Sequence, residues 1–229
     1  MTLRSAGSLV VALAALVQGC GGLLGKAAVP VTTATDAGTF QVLKGRRGVV
    51  IGAPHGTSDR ETDLIGRDLA RITGWSLVVG TGVSNLVADG QRSRIDEAYR
   101  RHVDEAAQGP LSLYVEVHGS ADPESAGRVK IATVGLSRED AWRLKVLYEL
   151  VRDARLQAEA PRLDVWIESL DPVRDTAPAS RRIGLLAASP RALSIELPRL
   201  ARTSYREMYT ALLGDVLVQC APFLISRAP

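Results

Sequence analysis

Short apolar runs alternate with amphipathic stretches along the chain from about residue 40 onward. The runs are rich in β-branched residues and bounded by Gly, Pro or charged residues, which predicts strands over 48–52, 75–79, 111–117, 129–134, 163–167 and 192–196. Apolar residues at helical spacing predict helices over 63–72, 95–107, 138–157 and 205–220. This alternation predicts an α/β fold, a single domain whose central mixed or mostly parallel sheet is flanked by helices.

Two Ser-x-x-acid patterns stand where predicted helices begin. Ser137 precedes Asp140 by three residues, and Ser58 precedes Glu61 by three. This spacing is typical of a capping box, in which the serine hydroxyl accepts a hydrogen bond from a free backbone N–H. We therefore expect both serines to begin helices.

The N-terminal residues have the order of a processed leader. Arg4 is followed by an apolar run over 9–17 and then by Gln18-Gly19-Cys20. The run is too short to span a bilayer, which needs about 20 apolar residues, so residues 1–19 are expected to be a signal peptide. The end of this segment resembles a lipobox, which predicts lipidation of Cys20 and a membrane-anchored lipoprotein facing the periplasm.

The segment after Cys20 is rich in Gly, Ala, Thr and Val without a helical period. Residues 20–39 are therefore expected to be a flexible, lipid-attached tether, and residues 40–229 the α/β domain. The alternative is a soluble secreted protein cleaved near Gly19 or after Ala28.

Charge and cysteine content narrow the choice of partners. The chain has 28 basic and 25 acidic residues, and removal of Arg4 leaves a net charge near +2. This balance gives no reason to expect a nucleic-acid partner. The cysteines are Cys20 and Cys220, so lipidation of the first leaves the second without a disulfide partner.

Two of the three histidines follow predicted strands directly, and each precedes a glycine. His55 stands in Ala-Pro-His-Gly and His118 in Val-His-Gly. Open α/β sheets place their sites at such strand ends, so the two imidazoles are candidate ligands of one metal ion. The alternative is that each imidazole bonds a neighbouring carbonyl. His102 lies in a charged helix and is expected to be solvated.

Carboxylates near these histidines complete the candidate chemistry. Asp59 is the favoured metal ligand and Glu61 the other candidate, although the capping pattern already explains Glu61. Glu196 lies in an apolar strand, where burial is costly unless it is paired or functional, so it is a candidate general base. An ion pair with Arg199 or Arg202 is its structural alternative, and Glu116 is the second candidate base.

Three short segments together resemble the N-formylglutamate amidohydrolase family and its relatives. They are APHGTSD at 53–59, VEVHG at 115–119 and IELP at 195–198, and the resemblance extends over about 49–202. It implies a zinc-carboxypeptidase-like fold and a zinc-dependent amidohydrolase. In such an enzyme His55, Asp59 and His118 would hold zinc, and Glu196 would act as the base.

The chain departs from these relatives where many have Asn-Arg-Pro. Gly90-Gln91-Arg92-Ser93-Arg94 stands there instead. Arg92 or Arg94, with Arg199, remains a candidate to bind a substrate carboxylate. An exported protein is expected to act on a periplasmic N-acyl amino acid, peptide or cell-wall fragment. The alternative is a binding lipoprotein that keeps the fold without turnover.

Overall fold

The computed structural model describes residues 29–35, 38–82, 89–120, 122–173 and 185–225. The signal peptide and Cys20 lie outside the described residues, so processing and lipidation stay predictions. No helix in the described ranges is both long and apolar enough to cross a membrane.

All strands of the described chain belong to one sheet with the order β1-β2-β4-β3-β5-β8-β6-β7. The strands are β1 Val31–Thr35, β2 Gly38–Leu43, β3 Arg46–Ala53, β4 Trp75–Thr81, β5 Leu113–Gly119, β6 Arg128–Val134, β7 Asp164–Ile167 and β8 Ala192–Leu197. The central strands β4, β3, β5 and β8 run parallel, whereas β2 and β6 pair antiparallel with β4 and β8. The predicted single α/β domain with a mixed sheet is confirmed.

Helices cover both faces of this sheet. They are α1 Thr62–Thr73, α2 Asp89–Ala107, α3 Arg138–Arg155, α4 Leu185–Ala188, α5 Arg199–Arg202 and α6 Arg206–Leu224, with a short 3-10 helix at Pro123–Ser125. Helix α6 packs between α1 and α3 over one apolar cluster, and α2 packs on β2, β3 and β4 over another. We call the second side the α2 face; Tyr114 and Ala192 lie on it against Tyr99 and Val103.

The sheet begins earlier than the sequence predicted. Residues 31–35, within the segment expected to be a tether, form β1 and pair antiparallel with β2. Backbone hydrogen bonds hold this edge strand, while its side chains stay mostly exposed, so it carries no apolar alternation to detect. The expected tether is therefore wrong for residues 31–35 and for residues 38–39, which begin β2.

One of the two predicted capping patterns forms. Asp140 donates its backbone N–H to the Ser137 hydroxyl at 3.0 Å, so α3 begins as predicted. The Ser58–Glu61 box is wrong, because α1 begins at Thr62 and Glu61 stands at its N-cap with φ of 71° and no side-chain cap. The chain enters this helix through a turn with backbone hydrogen bonds from the N–H of Asp59 to the carbonyl of His55 and from the N–H of Thr62 to that of Asp59.

Candidate active site

The candidate residues come from three neighbouring parallel strands. His55 and Asp59 lie in the turn after β3, Glu116 and His118 on β5, and Glu196 on β8. His118 and Glu196 are direct partners in the register of β5 with β8. Since the carboxyl ends of parallel strands share one edge of a sheet, the fold brings these five residues together.

His118 lies between two carboxylates. Its Nδ1 is 3.4 Å from Oδ2 of Asp59, and its Nε2 is 3.1 Å from Oε1 of Glu116. Burial alone would lower the pKa of His118, but Glu116 and Asp59 outweigh it and raise that pKa to about 10. In this arrangement His118 is an imidazolium that donates a proton to a carboxylate on each side.

The ring of His55 faces that of His118. The two ring centroids are 5.6 Å apart, and Nδ1 of His55 is buried without a hydrogen-bond partner in the described part of the chain. Burial lowers the pKa of His55, and the positive charge of His118 lowers it further. His55 is therefore a neutral imidazole with an unused polar atom, the form in which histidine binds metals.

Asp59, rather than Glu61, joins the histidines. Its Oδ2 accepts a hydrogen bond from the backbone N–H of Gly119 at 3.2 Å in addition to its contact with His118. Burial would raise the pKa of Asp59, but these bonds hold it below its usual value. Glu61 points elsewhere, with its Oε2 at 3.5 Å from Nε of Arg206.

Glu116 is held in a similar way on the α2 face. Its side chain is buried, and burial would raise its pKa, but the charge of His118 and hydrogen bonds from His118 and Ser194 lower it. The second candidate base is thus already committed to orienting His118. Glu116 is a positioning residue in this arrangement.

Glu196 is half-buried and carries no hydrogen bond or ion pair to other described residues. Burial raises its pKa, and the positive charges of Lys130 and His118 only partly oppose this. Lys130 is its register partner on β6. An uncommitted carboxylate with a raised pKa beside the imidazole of His118 has the properties of a general base.

Arg202 does not form the ion pair with Glu196 that the sequence left open. The guanidinium is buried and donates to the carbonyls of Leu197 at 3.1 Å, Asp59 at 3.0 Å, Arg60 at 2.8 Å and Ser120 at 3.2 Å. These carbonyls belong to the three segments that carry the candidate site. Arg202 therefore joins these three segments beneath the site, and we call this set of four hydrogen bonds the Arg202 clamp.

The clamp also explains why a glycine follows His118. A Cβ added at Gly119 would lie 2.5 Å from Cζ of Arg202, closer than atoms can approach. Gly119 thus lets the guanidinium pack directly on β5. The sequence indicated close backbone approach at this position, and the partner is an arginine of the protein.

The remaining candidate residues do not contact this cluster, or their side chains lie outside the described residues. The side chain of Arg92 is outside the described residues, and Arg94 and Arg199 are exposed. His102 packs on Phe40 with ring centroids 4.9 Å apart, and its Nδ1 is 3.7 Å from Glu105. The expectation of a solvated His102 is therefore wrong, because its ring covers an apolar residue.

The donor set fits a zinc ion in type but is not arranged as a metal site. Two imidazoles and a carboxylate are ligands that zinc accepts, and the orphaned Nδ1 of His55 shows a ligand position without a protein partner. However, no group of three His, Cys, Asp or Glu side chains in the described ranges is placed to hold a metal. Both ring nitrogens of His118 instead contact carboxylates, Nδ1 that of Asp59 and Nε2 that of Glu116.

Sequence reasoning missed Lys130 at this site and considered Arg202 only as an ion-pair partner of Glu196. Lys130 and Arg202 are brought in by register and by contacts across 82 to 143 residues of chain, which a single sequence does not reveal. The signal for Lys130 was its charge in the alternating strand β6. For Arg202 the one sign was its place after the Ile-Glu-Leu-Pro segment.

Comparison with known proteins shows a shared fold at low sequence identity. A bacteriophage poly-γ-glutamate hydrolase has a TM-score of 0.52 and 14% identity, with 80% of this chain and 87% of that chain covered. A metallo-carboxypeptidase from Burkholderia cenocepacia has a TM-score of 0.47 and 14% identity, with 87% and 65% covered. No protein family and no curated protein matches the sequence. The chain thus shares its fold, an α/β domain with a mixed sheet, with the poly-γ-glutamate hydrolase.

Proposed function

We propose that this protein is an exported, metal-dependent hydrolase that cleaves an amide bond of a carboxylate-bearing substrate. The observation that carries the proposal is the convergence of His55, His118, Asp59 and Glu196 at one edge of the sheet. The fold that it shares with a poly-γ-glutamate hydrolase is consistent with this.

His55, His118 and Asp59 are the residues that would hold zinc, and a bound zinc ion polarises an amide carbonyl and activates water. His55 is already neutral, because burial lowers its pKa. His118 would have to give up one of its two ring N–H protons, which face Asp59 and Glu116. Metal uptake would then release a proton, as is general for imidazole ligands.

Glu196 supplies the acid–base chemistry in this proposal. Its carboxylate takes a proton from the attacking water and passes it to the departing nitrogen, so no proton is lost or gained over the reaction. Its raised pKa favours this exchange, and no described side chain competes for its oxygens. Lys130 lies beside it and is paired with Asp122.

Replacement of Glu196 by glutamine tests the proposal. The change keeps the shape and removes the basic oxygen, so hydrolysis should fall by about 10²–10⁴-fold while metal content stays constant. Glu207→Gln is the matched control, because that side chain is 92% exposed and lies outside the site. The assay follows release of amine from N-acyl amino acids and short glutamate peptides.

Full specific activity in Glu196→Gln would remove this residue from the mechanism. Absence of hydrolysis in the wild-type protein over the whole substrate set would favour the alternative, a non-catalytic binding lipoprotein. One observation supports that alternative: both ring nitrogens of His118 contact carboxylates, so neither is available as a metal ligand in this arrangement.

A further inference from the structure

A row of four side chains crosses four neighbouring strands on the α2 face. His118 pairs in register with Glu196, Glu196 with Lys130, and Lys130 with Trp166. Register partners project from the same side of a sheet, and neighbouring strands lie about 4.8 Å apart. The Cα atom of Trp166 is therefore about 10 Å from that of Glu196, two strands away, and about 14 Å from that of His118, three strands away.

The far end of this row opens into a cavity of about 250 Å³ lined by Glu124, Arg128, Lys130, Trp166 and Pro172. Trp166 is half-buried, and the guanidinium carbon of Arg128 lies 3.9 Å from the centre of its ring. Stacking on the ring holds the guanidinium in place at the cavity wall. Lys130 belongs both to the cavity and to the row that contains Glu196.

The two basic residues of the cavity, Lys130 and Arg128, differ in the ion pairs and hydrogen bonds that they form. Lys130 is 13% exposed and forms an ion pair with Asp122, with Nζ 3.3 Å from Oδ2. Arg128 donates Nη1 to the backbone carbonyl of Glu124 at 3.3 Å and pairs with no acidic side chain in the described part of the chain. Most of the donors of Arg128 are thus free to bind an anion.

A larger cavity, of about 730 Å³, lies between the end of α3 and the start of α6. Its lining includes Thr203 and Tyr205 but none of the candidate catalytic residues. Size alone would favour it as the ligand site. The smaller cavity is continuous with the row that contains Glu196, so chemistry favours the smaller one.

We propose that the row is a binding track for an extended acidic polyamide, with Arg128 and Trp166 forming a subsite for a distal carboxylate. This rests on the proposed function, which places the reacting amide near His118 and Glu196. The 10 Å to Trp166 corresponds to about three extended residues at roughly 3.3–3.6 Å each. A substrate of at least four residues therefore spans both ends, and a single amino acid does not.

Calorimetric titration of the full-length protein tests the subsite without requiring turnover. The probes are tetraglutamate with α linkages, tetraglutamate with γ linkages, and tetraglutamine. We expect at least one glutamate oligomer to bind about tenfold more tightly than tetraglutamine, since a hydrogen-bonded charge pair typically contributes this much. The α and γ probes identify the linkage, and either preference supports the subsite.

Arg128→Gln should abolish the preference for glutamate, whereas Arg138→Gln should preserve it. Arg138 is an exposed arginine at the start of α3, which packs on the opposite face of the sheet. Arg128→Lys keeps the charge but loses the planar group, so it should retain part of the preference. Free glutamate should bind equally weakly to all four proteins, because it is too short to span the track.

Equal binding of glutamate and glutamine oligomers by the wild type would overturn the subsite even if Arg128→Gln failed to fold. Unchanged preference in a folded Arg128→Gln would also overturn it. Hydrolysis is measured separately. Binding that depends on Arg128 without hydrolysis would refute the proposed function alone, and hydrolysis that is independent of Arg128 would refute the subsite alone.

Discussion

Among the residues beneath the candidate site, Arg202 is expected to cause the largest loss of stability when it is replaced. Its guanidinium donates four hydrogen bonds to carbonyls from the turn after β3, the end of β5 and the end of β8. Arg202→Ala removes all four donors at once. The three segments are then no longer joined by one side chain, and four backbone carbonyls lose a hydrogen-bond donor.

The magnitude follows from these contacts. A hydrogen bond from a charged donor contributes about 1.5–3 kcal/mol, but water entering the vacated space will satisfy some of the carbonyls. We therefore expect the free energy of unfolding to fall by about 3–5 kcal/mol, which is less than the sum of four bonds. In a chain of this size each kcal/mol lowers Tm by about 2–4 °C, so Tm should fall by at least about 6 °C.

Arg199→Ala is the matched control, because it removes an exposed arginine from the same short helix. Its free energy of unfolding should change by less than about 0.5 kcal/mol. Thermal and urea unfolding of both variants provide the measurement. A loss of less than about 2 °C in Arg202→Ala, or an equal loss in Arg199→Ala, would refute the role of the clamp.

Two further predictions concern the neighbouring backbone and the N-terminus. Gly119→Ala should lower Tm and weaken any activity together, because the new Cβ would lie 2.5 Å from Cζ of the clamped Arg202; Gly127→Ala, where a Cβ meets no atom within 4 Å, is the control and should change neither. Cys20→Ser should release the protein from the membrane fraction, because a lipid on this sulfur is the expected anchor, and unchanged membrane retention on cell fractionation would rule out lipidation as the anchor.

Local patterns predicted the centre of the sheet well. The strands around Val50, Val78 and Val115 are short, β-branched and buried on both faces, so composition alone distinguishes them from helices. The same patterns placed His55 and His118 at strand ends. Strand β1 was not predicted, because an exposed edge strand is held by its backbone pairing and has no apolar pattern in its side chains.

The candidate site was predicted only in part for a different reason. The motifs gave the residue types of His55, Asp59, His118 and Glu196, and the fold brings these four together. The hydrogen bonds and ion pairs that each side chain forms depend on its neighbours in space, which the sequence does not show. Glu116, two residues from His118 in sequence, was weighed as a base and is instead bonded to His118.

Metal content of the protein purified without chelator tests the central proposal most directly. We expect about one equivalent of zinc in the wild type, and its loss in both His55→Ala and His118→Ala, because removing one of three ligands opens the site. His102→Ala is the control, since that imidazole packs on Phe40 outside the cluster, and it should retain the metal. A wild-type protein that contains no metal and shows no affinity for added zinc would contradict the account.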